Sequence, residues 1–257
     1  MLVAVILGTG VLVLAEHRFP FRRQALVRRG LGRDLGFFYL NMLVMGVLLG
    51  MLSGWMSRHG FTLPVPMLGS LHRGPIAVRI LAYLLVTDFL HFVTHYFLHR
   101  VDWLWRIHRV HHRVQLLDWA ATFHIHPAEM VIDRVVLLLA YCLLGFSPEA
   151  IVIGYSIEFL WSEFTHANLK LPVTVFDRFL VLPRMHRWHH AFLHETGGRA
   201  VNFGTIFTCW DILFKTALIP PGPPARIGFE SMETFPETVW DEVFGSFNWT
   251  PDSTAKY

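Results

Sequence analysis

Two long apolar runs limit what this chain can fold into. Leu35–Met56 and Ile76–Leu98 each match the ~20 residues that a helix needs to cross the hydrocarbon core of a bilayer. Charged residues make up only 16% of the 257 residues and hydrophobic residues 53%, which excludes a disordered chain. We therefore expect an all-α, multi-span integral membrane helical bundle.

Three shorter apolar runs complete the predicted bundle. Leu2–Ala15 has no preceding Lys or Arg and no clear cleavage site, so it predicts an uncleaved span or anchor rather than a signal peptide. Val135–Phe146 and Ala150–Phe164 are separated by three residues, Ser147 to Glu149. We expect this pair to form a hairpin that enters and leaves at one face, without each leg spanning fully.

The distribution of arginine predicts the orientation of the spans. The segment between the first two runs contains Arg18, Arg22, Arg23, Arg28, Arg29 and Arg33. Residues 57–75 contain only Arg58 and Arg73. Because basic loops stay in the cytoplasm, we expect the first segment to be cytoplasmic. Counting spans forward then places residues 100–134, and all residues from His166 onward, on the same cytoplasmic face.

Eight of the 16 histidines fall in three motifs. His95 and His99 are four residues apart, so they share one face of a helix. The pattern HxxHH then occurs twice, as His108, His111 and His112 and as His186, His189 and His190. Neutral imidazole is the commonest metal ligand near physiological pH. Eight such ligands exceed the about four to six that one ion takes, so the motifs predict two metal ions.

Other histidines receive separate predictions. His166 ends the last apolar run at the predicted depth of His99, and we expect it to be a ninth ligand. For His91, a role as a metal ligand and a purely structural role both stay open, because no second motif pairs with it. His124 and His126 are expected to serve as hydrogen-bonding residues. The expected non-ligands are His17, His59, His72 and His194.

Three carboxylates could orient the imidazoles by accepting their free N–H groups. These candidates are Asp88, Glu163 and Asp211. Glu163 precedes His166 by three residues, which favours a shared helical face. For Asp211, a helix cap or a structural ion pair is an equal alternative.

The ligand type narrows the choice of metal. Imidazole suits zinc, copper, iron and nickel. Closed structural zinc sites often use cysteine, yet Cys142 and Cys209 lie outside the histidine motifs. A dinuclear, nitrogen-rich iron site at a membrane face would suit activation of O2 near a lipid chain. The residues alone leave iron and zinc both open.

Two other classes of membrane protein remain as alternatives. A haem-type electron carrier needs only one or two axial ligands, so doubled HxxHH motifs would exceed its requirement. A zinc-dependent hydrolase is expected to carry HExxH or HxxEH, and neither pattern occurs in the sequence. Nucleic acid is not an expected partner, because the arginines flank apolar runs and form no basic stripe on a soluble fold.

The order of these motifs resembles the fatty acid hydroxylase/sterol desaturase superfamily. The resemblance covers roughly residues 80–216 and rests on Asp88–Arg100, Leu104–His112, His126–Glu129, His166–Asn168, Pro183–His190, Asn202–Gly204 and Trp210–Thr216. It implies two iron ions, bound in a cytoplasmic helical cap by His95, His99, His108, His111, His112, His186, His189 and His190, with His166 also expected. Two positions depart from the family pattern: His91 stands where an aromatic residue is common, and Tyr96 where arginine is common.

The resemblance also implies a reaction and its partners. We expect O2-dependent hydroxylation or desaturation of a membrane lipid, such as a sterol or a fatty acyl chain. No nucleotide-binding motif or cysteine cluster occurs in the sequence, so electrons should come from an external cytochrome or ferredoxin-type donor.

The chain divides into three expected regions. Residues 1–75 should hold the N-terminal spans and the Arg-rich cytoplasmic loop, and residues 76–219 the hydroxylase-like domain. Residues 220–257 are rich in Pro, Gly and acidic residues, and we expect a loosely ordered cytoplasmic extension.

Overall fold

The computed structural model describes residues 2–60 and 73–249, and over these ranges the chain is helical, with isolated bridges but no β-strand. The six longer helices are α1 (Leu2–Arg18), α2 (Leu31–His59), α3 (Ile76–Arg100), α4 (Asp102–His112), α5 (Pro127–Leu144) and α6 (Pro148–His166). Three short helices follow: α7 (Pro183–His189), α8 (Cys209–Leu213) and α9 (Val239–Gly245). Single 3₁₀ turns occupy Trp119–Phe123, Val175–Arg178, Leu193–Thr196 and Met232–Thr234. The expected all-α class is confirmed.

Two of these helices, α2 and α3, are long and apolar enough to cross a membrane. They include the two long apolar runs of the sequence. Leu43, Leu49 and Met51 on α2 are all more than half exposed. So much exposed apolar surface requires a covering phase or partner, and a bilayer supplies one. The number of full spans and the side of the membrane remain predictions.

Helices α5 and α6 are joined by three residues, and both are longer than the apolar runs that predicted them; whether they form a hairpin at one face stays a prediction. Gly145 at φ 65° ends α5, and the Ser147 side chain caps the first turn of α6. With 18 and 19 residues, each helix is roughly 27 to 29 Å long, close to the ~30 Å of a bilayer core. Helix α5 begins eight residues before its apolar run, and α6 extends two residues beyond its run at each end.

Several helix ends meet at one end of the bundle. Glu16, near the end of α1, accepts hydrogen bonds of 2.8 Å from the backbone N–H groups of Trp119 and Asn168. Arg28, just before α2, is buried and donates to both Asp34 and Asp118. The end of α6, with Asn168, and the start of α2 therefore lie together. The Arg-rich segment is at this end, as are the histidine motifs.

Residues 220–249 differ from the loosely ordered extension that their composition predicts. Three of their side chains, Phe229, Met232 and Phe235, are buried in one hydrophobic core with Phe37, Val110 and Phe192. Helix α9 adds Glu242, which is fully buried. Proline, glycine and acidic residues suggested disorder, but the phenylalanines between them supply enough apolar surface to pack on α2 and α4.

Candidate metal centre

The nine histidines predicted as ligands converge in two groups. The first group contains His95, His99, His108, His112 and His189, and the second contains His111, His166, His186 and His190. Within each group, one ring nitrogen per residue lies within 4.8 Å of the corresponding nitrogen of every other member. Helices α3, α4, α6 and α7 supply these residues, with His190 directly after α7.

Each HxxHH motif contributes to both groups. On α4, His108 and His112 belong to the first group, while His111 turns to the second. The second motif has the opposite arrangement: His186 and His190 belong to the second group, and His189 belongs to the first. Residues four apart share a helical face, and the third is rotated away from it. Both motifs therefore lie between the two groups and hold them side by side.

The distances between nitrogens are those of ligands around a shared ion. In the first group the Nε2–Nε2 distances are 3.1 Å for His95–His108, 3.2 Å for His108–His112, 3.1 Å for His112–His189 and 3.3 Å for His99–His189. In the second they are 3.1 Å for His111–His166, 2.9 Å for His166–His186 and 3.0 Å for His186–His190. Two nitrogens bound at right angles, each about 2.1 Å from one ion, would be about 3 Å apart.

The opposite ring nitrogens determine where the protons are. Five rings direct Nδ1 at an oxygen: His95 at the Phe203 carbonyl, His108 at Glu129, His111 at the His124 carbonyl, His166 at the Ser162 carbonyl and His189 at the Val201 carbonyl. Because an oxygen acceptor requires a proton on Nδ1, the Nε2 atoms carry lone pairs. Lone pairs that converge without protons repel each other, and a cation between them removes that repulsion.

Burial keeps four rings of the two HxxHH motifs neutral. Desolvation, followed by the neighbouring histidines, holds the pKa of His112, His186 and His190 well below the usual value. The same causes lower the pKa of His189 to about 3. Neutral imidazole is the form that binds a metal, so these rings do not need to lose a proton first.

Glu129 is the carboxylate that orients a candidate ligand. It lies in the first turn of α5, is 8% exposed and accepts a 2.9 Å hydrogen bond from His108 Nδ1. Glu129 is not among the carboxylates predicted from the sequence, although it ends the His126–Glu129 motif. Its position three residues after His126, at the start of a helix, is the sequence feature that could have identified it.

Replacing Glu129 with alanine should weaken metal binding at the first group by about 10- to 100-fold, the usual effect of removing such an outer partner. Without the carboxylate, the His108 ring loses the acceptor that fixes its orientation and tautomer. Competition with a chelator would measure the affinity. Glu233→Ala, which removes an exposed carboxylate, is the control. An unchanged affinity in Glu129→Ala would contradict this role.

The three carboxylates expected to orient imidazoles contact other groups instead. Asp88 accepts hydrogen bonds from the backbone N–H groups of residues 205, 206 and 207 and from Trp210 Nε1. Asp211 accepts from the N–H groups of residues 203 and 204 and from the Thr216 hydroxyl. Glu163 accepts from the Thr9 hydroxyl at 2.8 Å. Asp88 and Asp211 therefore act on the loop whose Phe203 carbonyl orients His95.

The hydrogen-bonding roles expected for His124 and His126 are confirmed. His124 is fully buried and lies 2.7 Å from both Asp34 and Glu242. Burial favours the neutral ring, but the hydrogen bonds and charges of the two carboxylates together raise the pKa of His124. His126 caps α5 and contacts the Val243 carbonyl at 3.0 Å. The His124 carbonyl in turn accepts from His111, so this network supports the second group.

The remaining histidines lie outside both groups. His91 contacts Asp133, with 2.9 Å between Nδ1 and Oδ1. His17, His59 and His194 are exposed or partly exposed. His72, also expected to be a non-ligand, lies outside the described residues.

A cavity of about 210 Å³ adjoins the two groups. Five of the nine histidines line it: His95, His108, His111, His166 and His186. Apolar side chains such as Phe38, Met42 and Leu137 form part of its wall. Such a space can place an alkyl chain beside the histidines and limit the access of water.

Comparison with known proteins agrees with this geometry. The model of the fatty acid hydroxylase family matches residues 80–216, which include all nine histidines. Ornithine lipid hydroxylase OlsE of Rhizobium tropici is 29% identical over 150 residues, which cover 58% of this chain and 44% of that protein. Very-long-chain aldehyde decarbonylase GL1-9 of Oryza sativa subsp. indica is 25% identical over 210 residues, or 79% of this chain and 80% of the relative.

A third relative is very-long-chain aldehyde decarbonylase GL1-10 of Oryza sativa subsp. japonica, 30% identical over 164 residues, or 60% of this chain and 49% of the relative. The chain thus spans less than half the length of two of these three relatives. No solved structure matches it. The family match covers more than half of the chain and contains every histidine of the two groups. This protein belongs to the fatty acid hydroxylase family.

Proposed function

We propose that this protein uses O2 to oxidise a membrane lipid, by hydroxylation or desaturation, at two iron ions held by the nine histidines. Electrons would come from an external cytochrome or ferredoxin-type donor. The observation that carries the proposal is the convergence of nine imidazoles in two groups beside one cavity, with an Nδ1–H bond to oxygen that leaves Nε2 unprotonated in five of them. The family, with its relatives named as a lipid hydroxylase and aldehyde decarbonylases, supports an oxidative enzyme that acts on lipids.

The donor set fits two metal ions. His95, His99, His108, His112 and His189 would hold one ion, and His111, His166, His186 and His190 the other. Bound iron would supply the activation of O2 and the oxidation of an unactivated C–H bond. The protein's own residues would then bind the lipid in the cavity, restrict water and keep five of the nine imidazoles oriented by their Nδ1–H bonds.

The two alternative classes fit these contacts less well. In a zinc hydrolase, a carboxylate beside the metal acts as a general base. Here one oxygen of the cavity-lining Glu129 accepts a hydrogen bond from the ring of a candidate ligand, so this carboxylate orients a ligand. In a haem carrier, one or two axial histidines suffice, whereas the structure gathers groups of five and four.

Metal content is the first test. We expect elemental analysis of the detergent-purified protein to give two iron ions per chain after loading with ferrous iron. The double variant His111→Ala/His189→Ala removes one ring from each group and should lose both ions. A matched control, His17→Ala/His59→Ala, removes two exposed histidines and should retain them. Absence of metal from folded, iron-treated wild-type protein would overturn the proposal.

Product analysis is the second test. Membranes that contain the wild-type protein and a reducing donor system would be incubated with ¹⁸O2 and analysed by mass spectrometry. We expect a lipid that gains one labelled oxygen or loses two hydrogens, and no such product from the double variant. Very-long-chain aldehydes would be supplied in parallel because two relatives are named for them. O2-independent hydrolysis with zinc, and no oxidised lipid with iron, would favour the hydrolase instead.

A further inference from the structure

The cavity continues from the histidines toward the middle of the helices, where four ionisable residues line it: His91 on α3, Asp133 and Arg134 on α5, and Glu158 on α6. His91 is one helical turn before His95, or about 6 Å along the axis. Asp133 is likewise one turn beyond Glu129. Ionisable residues on helices that face a bilayer interior are unfavourable unless they serve a ligand, an ion or each other.

Both carboxylates of this cluster are already engaged. Asp133 Oδ1 lies 2.9 Å from His91 Nδ1. Glu158 accepts hydrogen bonds from the hydroxyl of Thr87 and, at 3.1 Å, from that of Tyr83. The acceptors on this part of the wall therefore have donors within the protein.

The other two side chains, Arg134 and His91, still have polar atoms to offer. The nearest carboxylate contact of Arg134 is 3.8 Å, to Asp133, and its guanidinium lies over the ring of Tyr155 at 5.0 Å. In the described part of the chain, no hydrogen bond uses this guanidinium or His91 Nε2. Their side chains are 34% and 43% exposed, so a ligand can reach both. The wall thus presents surplus donors one turn from the histidine groups.

We infer that Arg134 and His91 bind the anionic end group of a lipid, a carboxylate, and that the lipid enters this cavity with that end foremost. The planar guanidinium matches the two oxygens of a carboxylate, and charge-assisted hydrogen bonds of this kind are strong. His91 Nε2 lies on the same wall, and its ring is fixed by Asp133. For its chemical consequence, the inference rests on the proposed function.

This placement determines which carbons lie near the metal site. An end group at Arg134 and His91 is within about two helical turns, or roughly 11 Å, of the histidines. The C–H bonds nearest the carboxylate would therefore be the ones oxidised, and the rest of the chain would lie toward Phe38, Met42 and Leu137. Met42 is half exposed on α2, so the chain can continue from the cavity to the surface of the bundle.

Binding to the detergent-purified, iron-loaded protein tests the inference without turnover. The probes are palmitate, methyl palmitate and hexadecyl phosphate, measured by displacement of radiolabelled palmitate. We expect wild-type protein to bind palmitate at least tenfold more tightly than the uncharged methyl ester. Stronger binding of hexadecyl phosphate than of palmitate would assign the site to a phosphate rather than a carboxylate and overturn the carboxylate assignment.

Variants connect the preference to the named residues. Arg134→Gln should reduce the palmitate preference to less than twofold with unchanged metal content. Arg134→Lys, which keeps the charge but loses the fork, should fall in between. Arg178→Gln removes an exposed arginine and should behave as wild type. If Arg134→Gln fails to fold, His91→Gln tests the same wall and should lower the preference at least threefold. Equal binding of acid and ester by wild-type protein, or a full preference retained in folded Arg134→Gln, would overturn the inference.

The two proposals fail separately. If the protein binds palmitate through Arg134 but forms no oxidised lipid, the end-group site stands and the oxygenase proposal is wrong. If lipid oxidation occurs but the protein binds acid and ester equally well, the oxygenase proposal stands and the end-group site is wrong. If both proposals are correct, the product should carry its new hydroxyl or double bond near the carboxylate. In Arg134→Gln, oxidation should occur at several positions along the acyl chain.

Discussion

Replacing His186 with alanine should remove one of the two proposed metal ions and lower lipid oxidation by more than about 100-fold, beyond the effect of losing an outer partner. His186 Nε2 is 2.9 Å from that of His166 and 3.0 Å from that of His190, so it lies centrally in the second group. Its loss leaves three rings there, while the five rings of the first group are untouched. The retained ion should therefore belong to the first group.

Elemental analysis and the oxidation assay would be run on the same preparation. His17→Ala, at an exposed position on α1, serves as the control and should keep both ions and full activity. Thermal unfolding of each variant shows whether the fold survives. Two retained ions in folded His186→Ala would show that the second group does not bind metal as proposed.

Asp88→Ala should give the largest loss of stability, about 3 to 5 kcal/mol, because it leaves several buried donors without an acceptor. The Asp88 carboxylate is 2% exposed and accepts three backbone hydrogen bonds, between 2.8 and 3.2 Å, and a fourth from Trp210 Nε1 at 3.0 Å. The loop that contains these N–H groups, residues 203–207, also carries the Phe203 carbonyl, which accepts a hydrogen bond from His95 Nδ1. A displaced loop should therefore also weaken metal binding in the first group.

Unfolding in detergent, followed by tryptophan fluorescence, measures the loss. Asp88→Asn keeps one accepting oxygen, so it should lose less than the alanine variant. Asp102→Ala, at an exposed position on α4, should change stability by less than about 0.5 kcal/mol. A loss below about 1 kcal/mol in Asp88→Ala would mean that water or nearby groups replace the carboxylate.

The sequence predicted the set of histidines but not how they divide. Helical spacing brings His108 and His112 to one face, and the count of rings indicates two ions. That His111 faces a different group from its two neighbours depends on where α6 and α7 dock, which is a tertiary property. The long helices were predictable for a simpler reason, because their apolar runs are continuous.

The orienting partners were the least predictable part of the site. Four of the five oxygen acceptors on Nδ1 are backbone carbonyls, which any residue can offer, so no side-chain pattern identifies them. Asp88 and Asp211 were selected because of their residue type, yet their oxygens face backbone N–H groups of a loop distant in sequence from Asp88. Residues 220–249 were misjudged by composition, which does not register that scattered phenylalanines meet a common core.

The burial of Glu242 against His124 also has a consequence for biosynthesis. A chain is made from its N-terminus at roughly 5 to 20 residues per second, so Asp34 and His124 emerge well before α9. Glu242 follows His124 by 118 positions, which corresponds to roughly 6 to 24 seconds of synthesis. During that interval His124, whose carbonyl supports His111, has only one of its two carboxylates. The second histidine group can thus assemble on the nascent chain before α9 packs behind it, which would separate the arrival of a proposed metal ion from the completion of the fold.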